Sequence, residues 1–221
     1  MKEFFNAPST TVAQAIMTTH SPVDEKPRRS ISQSIVRMSA TRANGRIGLA
    51  CDVAVGFVLL YTGARRHDVL PIAALLTIFL GLVLFSLVEY CFHRWAFHGP
   101  AQVLEQGHRK HHQDPLGYDS LPFFLPPIGM LGLAVLLATF WPATIALLLS
   151  GGIALGYAAY GLSHWVIHHI RFRYALPKRW AAAHHIHHQH PNTNFGVTTP
   201  LWDIMLRTRY ESRRTKAREP D

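Results

Sequence analysis

The sequence predicts an all-α, polytopic membrane protein: four transmembrane helices in two hairpins, with a cytoplasmic, histidine-rich helical cap that could hold one or two metal ions. Three observations predict it. Apolar residues come in blocks long enough to cross a bilayer, positive charge falls almost wholly to one side of those blocks, and histidines gather in clusters beside them.

Residues 1–46 are rich in Ser, Thr and basic side chains and hold no apolar stretch of the secretory kind, so they read as a cytoplasmic arm, partly disordered. The first span covers about 47–64 and is broken only by Asp52, which lies five residues inside it and reads as an interfacial group near Arg46. The second, about 69–92, carries Glu89 as its single charge. From Leu121 to Ile170 there are 50 residues without Lys, Arg, Asp or Glu, enough for two further passes at about 123–141 and 143–168, with Pro142 at the turn. The cap is then 93–120 and 169–210, and 211–221 form a basic tail. Within the cap, breakers at Gly107 and Pro115 frame a short helix around residues 108–112. Pro177 precedes a helix over 178–190, Asn194-Phe195-Gly196 marks a turn, and Thr199 caps a helix begun by Pro200.

Net charge is +9. Lys and Arg number 7 in residues 1–46, 2 at Arg65-Arg66, 3 in residues 93–120 and 10 after Ile170. With four passes, 20 of them share one face of the membrane, which by the positive-inside rule is the cytoplasmic one and holds both termini and every histidine cluster. Such flanks suit anionic lipid headgroups and an acidic protein partner. No basic stripe interleaved with aromatics occurs, which argues against nucleic acid. Cys51 and Cys91 sit in apolar runs and read as small hydrophobes.

Fifteen histidines are present, five of them in the seven positions from His184 to His190. On a helix His184, His187 and His188 stand at i, i+3 and i+4, so their neutral imidazoles can converge on one or two metal ions; His108, His111 and His112 repeat the spacing. His164 and His168 form an i, i+4 pair. His93 and His98 are five apart, about 140° on a regular helix, so they serve different ions unless the helix deforms near Gly99-Pro100. His169, His185 and His190 fall outside these patterns. A ligand ring needs its other nitrogen held, and Glu89, Asp119, Asn194 and Asp203, with His169, His185 and His190, are candidates for that. A metal-handling protein, transporter or sensor, is the reading from another class, although a transporter places ionisable ligands within its spans.

The motifs HRWAFH (93–98), HRKHH (108–112), HWVIH (164–168), HHIHH (184–188) and NFGVTTPLWD (194–203) resemble those of the fatty acid hydroxylase and sterol desaturase superfamily of membrane dimetal oxygenases, over roughly residues 75–210. Cluster order, Pro126-Pro127 and the FGVTTPLWD tail are most similar to the fatty acid 2-hydroxylase branch. Gly161 after Tyr160 departs from an Asp common there. The resemblance implies two iron ions, for which zinc can substitute in purified protein, and O2 as co-substrate. It implies His93, His98, His108, His111, His112, His164, His168, His184, His187 and His188 as ligands. It also implies hydroxylation of an unactivated C–H of a lipid, with a fatty acyl chain favoured and a carotenoid or sterol hydroxylase or desaturase as the nearest alternative. No HPGG haem motif and hence no fused haem domain occurs, so electrons are expected from a separate cytochrome b5 or ferredoxin-type protein.

Overall fold

The computed structural model describes residues 35, 37–100, 102–118 and 120–212; most of the basic arm, most of the tail and Asp119 lie outside the described residues. Those described form helices and no strand. They are α1 (Arg42–Ala64), α2 (Pro71–Cys91) continued by a π-helical segment (Phe92–Phe97), α3 (Gln102–Gln113), α4 (Leu125–Ala138), α5 (Ala143–His169), α6 (Ala175–Gln189) and α7 (Leu201–Met205).

Among the described residues, three stretches are long and apolar enough to cross a membrane: Arg42–Ala64, Pro71–Phe97 and Ala143–His169. α1 starts five residues before the apolar run because Thr41 caps it, its hydroxyl accepting the Asn44 N–H at 3.1 Å. The expected span 123–141 becomes a helix of only 14 residues, about 21 Å long. α3 begins at Gln102, five residues upstream of Gly107, which an amphipathic helix tolerates internally. α6 begins at Ala175 and takes Pro177 into its first turn, where a missing N–H costs nothing. α7 begins one residue later than expected, and Thr199 Oγ1 still accepts the Leu201 N–H at 3.2 Å.

α5 is the central helix. Ala146, Leu148, Leu149, Ala154 and Ala158 are buried against its neighbours, whereas α1 and α2 expose Phe57, Tyr61, Leu75, Leu76 and Phe79, an outward apolar surface that only lipid would cover. α2 approaches α5 at Gly81 and Gly152. A Cβ on Gly152 would lie 2.5 Å from the Ile78 carbonyl oxygen, and one on Gly81 2.6 Å from that of Leu149, so the crossing depends on both lacking a side chain. Asp52 is not interfacial as expected: it is buried on the stripe of α1, with Gly56, that meets α5. One of its oxygens has no protein partner.

Two polar clasps fix the ends of the bundle. At the start of α1, buried Asn44 donates to Ser120 Oγ and the Leu121 carbonyl, each at 2.8 Å, and accepts the Phe123 N–H at 3.0 Å, so the α3–α4 connection is tied there. At the other end Thr144, at the start of α5, donates to Asp68 in the α1–α2 loop. The histidine-bearing ends of α2, α3, α5 and α6 therefore gather where α1 begins.

Candidate metal centre

Ten histidines come together in two groups of five, each with one ring nitrogen per residue within 4.8 Å of the others. The first is His93, His98, His108, His112 and His187; the second is His111, His164, His168, His184 and His188. The HxxHH spacing is thereby divided. In α3 the i, i+4 pair His108 and His112 joins the first group while His111 joins the second, and in α6 the pair His184 and His188 joins the second while His187 joins the first. Each helix thus contributes to both groups, and the rings of His112 and His188 stack at 4.3 Å where the groups meet.

His93 and His98 enter the same group rather than serving different ions. The deformation lies upstream of Gly99-Pro100: residues Phe92–Phe97 are wound as a π-helix, whose bonds join i to i+5 and so bring residues five apart into line.

The spacing of the nitrogens suits a metal. His108 Nε2 lies 3.0 Å from Nε2 of His93, His98 and His112 alike, although one imidazole nitrogen carries only a single proton or a single lone pair. Three such neighbours cannot all be hydrogen bonds. Two nitrogens held about 2.1 Å from one ion at right angles lie about 3.0 Å apart, against about 3.4 Å at tetrahedral angles. The remaining Nε2 pairs, His98 with His187 and His168 with His184 at 3.0 Å and His184 with His188 at 3.1 Å, match the first value. Five donors at such angles fit a five- or six-coordinate ion with a position left open, which closed tetrahedral sites lack. In the second group, His111 Nε2 and His164 Nε2 are buried with no hydrogen-bond partner.

Protonation states agree. Burial, followed by the neighbouring imidazoles, pushes His98 and His111 down to about 4 and His187 to about 3, and holds His108, His184 and His188 well below the usual imidazole range. The rings are neutral at pH 7. Tautomers are set in two cases by backbone carbonyls: His93 Nδ1–H donates to Phe195 O at 2.5 Å and His187 Nδ1–H to Thr193 O at 2.7 Å, leaving each Nε2 lone pair for the group. Ring planes are held by stacking, Phe97 on His108 and Tyr160 on His164.

Of the residues expected to hold those second nitrogens, none described touches one. Glu89 accepts the N–H groups of Val197 (2.6 Å) and Thr198 (2.9 Å) and the Thr198 hydroxyl. Asp203 accepts those of Phe195 and Gly196, each at 2.8 Å, and the Thr208 hydroxyl. Asn194, at φ 54°, donates to the Ala183 carbonyl and accepts the Tyr210 N–H. All three shape the loop that carries the Thr193 and Phe195 carbonyls, one step further out than expected. His169 stacks on Trp165 and His190 on Tyr210; with His185 they are exposed and belong to neither group. Sequence reasoning missed the two carbonyls, which no residue type announces, and Tyr90, fully buried with its hydroxyl accepting from Arg94 at 2.8 Å and 3.0 Å from Thr208 Oγ1.

Residues 78–208 match the family model for fatty acid hydroxylase. Among curated relatives, the dihydroceramide fatty acyl 2-hydroxylases FAH1 and FAH2 of Arabidopsis thaliana are 29% and 31% identical, over 66% and 68% of this chain and 63% and 67% of their own lengths. The fatty acid 2-hydroxylase of Rattus norvegicus is 28% identical over 58% of this chain, which spans only 38% of that protein. A solved structure of full-length scs7p, with only its hydroxylase domain visible, superposes with a TM-score of 0.67 at 21% identity, covering 79% of this chain and 69% of that one, and so shares its fold.

Proposed function

The chain belongs to the fatty acid hydroxylase family, and from that premise we propose that it is a membrane-bound two-iron oxygenase hydroxylating an unactivated C–H bond of a lipid, a fatty acyl chain being the substrate. The observation that carries this is the pair of five-imidazole groups, whose neutral nitrogens suit a divalent first-row metal. His93, His98, His108, His112 and His187 would hold one ion, and His111, His164, His168, His184 and His188 the other. Zinc fits the same donors but has no redox chemistry, so turnover requires iron. Iron held there would supply activation of O2: with two electrons and two protons from outside, one oxygen atom would enter the C–H bond as a hydroxyl and the other would leave as water.

The chain's own residues hold the centre in shape. The carbonyls of Phe195 and Thr193 fix the rings of His93 and His187 in the tautomer that presents Nε2. Phe97 and Tyr160 limit ring rotation. Four crossings, with both termini and the cap in the cytoplasm, let the centre meet a lipid from the bilayer and electrons from the aqueous side. Basic residues exposed on the cap, among them Arg109, Arg173, Lys178 and Arg179, suit an acidic donor of the cytochrome b5 or ferredoxin type.

The test is iron-loaded protein in vesicles, supplied with a donor system and O2 and a panel of free fatty acids, ceramides, sterols and carotenoids, with products read by mass spectrometry. An acyl lipid gaining one oxygen atom is expected. A sterol or carotenoid product would keep the centre and change the substrate class. Failure of every lipid to gain oxygen, with transmembrane zinc flux instead, would replace the enzyme by a metal-handling protein. His187→Ala and His188→Ala should each abolish activity, whereas His185→Ala should keep it.

A further inference from the structure

We propose that α7 and its flanks form a membrane-immersed surface, seated among the acyl chains of the cytoplasmic leaflet beside α2, with bilayer lipid as its occupant. The inference rests on the membrane reading of the spans and adds an element that hydropathy does not mark, since α7 has only five residues.

Depth comes from α2. The helix leaves the loop holding Arg65, Arg66 and Asp68 at Pro71, and each residue advances about 1.5 Å, so Ser86 lies about 22 Å and Tyr90 about 28 Å into a hydrocarbon layer about 30 Å thick. Tilt would leave both deeper. Trp202 Nε1 of α7 donates to Ser86 Oγ at 3.0 Å, and Thr208 Oγ1 sits 3.0 Å from the Tyr90 hydroxyl. α7 is thus held several ångströms inside the hydrocarbon, and the chain climbs back to its edge by Thr208.

The surface suits that position. Leu201, Ile204, Met205 and Leu206 are 41%, 53%, 62% and 44% exposed among the described residues. Exposed Arg207 and Arg209 follow where the chain returns to the edge, placed to reach headgroup phosphates. The preceding backbone meets an independent requirement. Non-helical chain at membrane depth must have its N–H groups taken by protein, and those of Phe195, Gly196, Val197 and Thr198, four in succession, are accepted by the buried carboxylates of Asp203 and Glu89. The same loop presents the Phe195 carbonyl to His93, so lipid packed on α7 lies beside the support of the first histidine group.

Single cysteines at Ile204 and Met205, in full-length, metal-loaded protein carrying Cys51→Ala and Cys91→Ala, would be labelled with bimane and reconstituted into phosphatidylcholine–phosphatidylglycerol vesicles. Quenching by brominated lipid is compared with quenching by aqueous iodide, against Phe79→Cys on α2 and Arg179→Cys on the cap. Labels at 204 and 205 should be quenched by brominated lipid to the same extent as that at 79 and spared by iodide. Iodide quenching at 204 and 205 as strong as at 179, with 79 still lipid-quenched, overturns the proposal. Resistance to both quenchers also overturns it, since protein would then cover the face. If 79 is itself quenched by iodide, the membrane reading fails instead.

Discussion

Glu89 and Asp203 act through the backbone they collect, not through any histidine, and this separates two substitutions that would otherwise look alike. Glu89→Gln keeps a carbonyl oxygen for the Val197 and Thr198 N–H groups and should cost about 1 kcal/mol or less, whereas Glu89→Ala leaves both unpaired and should cost about 1–3 kcal/mol for each. Unfolding in detergent would measure the difference, with iron content read alongside. The alanine variant should also lose metal, because the loop it frees carries the Phe195 carbonyl that orients His93. Equal stability and equal metal content for the two variants would show that the loop is held by something else. The histidine pattern was legible at this scale because i, i+3 and i+4 spacing is a property of any helix. Which ring joined which group was not, since a single helix spacing fits one ion or two, and the carbonyl partners were hidden because every residue has one.

The π-helical segment is the element on which the first group depends. His93 and His98 share a face only while Phe92–Phe97 keeps bonds from i to i+5. Inserting one alanine after Trp95 sets the two six apart, about 120° out of line on a regular helix, and should lower iron from two ions per chain to one, measured by elemental analysis of the purified protein. Retention of both ions would mean that the cap adjusts around His98. The sequence contained the five-residue spacing but not the winding, because π-turns carry no residue signature; Gly99-Pro100 drew attention to a break instead. Contacts between spans follow a different rule. Gly152→Ala sets a methyl against the Ile78 carbonyl, a backbone atom that cannot rotate away, and should destabilise by about 1–3 kcal/mol. Gly129→Ala and Gly132→Ala meet nothing within 4 Å and should be neutral or stabilising by up to about 1 kcal/mol. Thermal unfolding of the three variants in one detergent would test the contrast. Asp52 illustrates the limit of hydropathy: it marks how far a residue lies along a span, but not which neighbour the residue faces.

At the scale of the molecule, the fold depends on whether α4 crosses, because its 14 residues reach only about 21 Å. Connectivity argues that it does. The chain before α4 is clasped to the start of α1 by Asn44, and the chain after it is clasped by Thr144 to the loop at the far end of α1, so the segment between runs from one end of α1 to the other, as the proposed fourth crossing requires. The flanking residues 121–124 and 139–142, with exposed Phe140 and Trp141 at the far interface, make up the remaining length. On the proposed topology the distribution of Lys and Arg would assign the sides, with Arg65 and Arg66 away from the cytoplasm. Single cysteines at His67, Leu116 and Arg173, in the background lacking Cys51 and Cys91, would be exposed to a membrane-impermeant maleimide in intact cells and after permeabilisation. His67→Cys should react in intact cells, and Leu116→Cys and Arg173→Cys only once the membrane is opened. Positions 116 and 173 bracket α4 and α5 together, so an even number of crossings leaves them on one side and an odd number separates them. Labelling from opposite faces would therefore remove α4 from the spans, whatever the histidines above it hold.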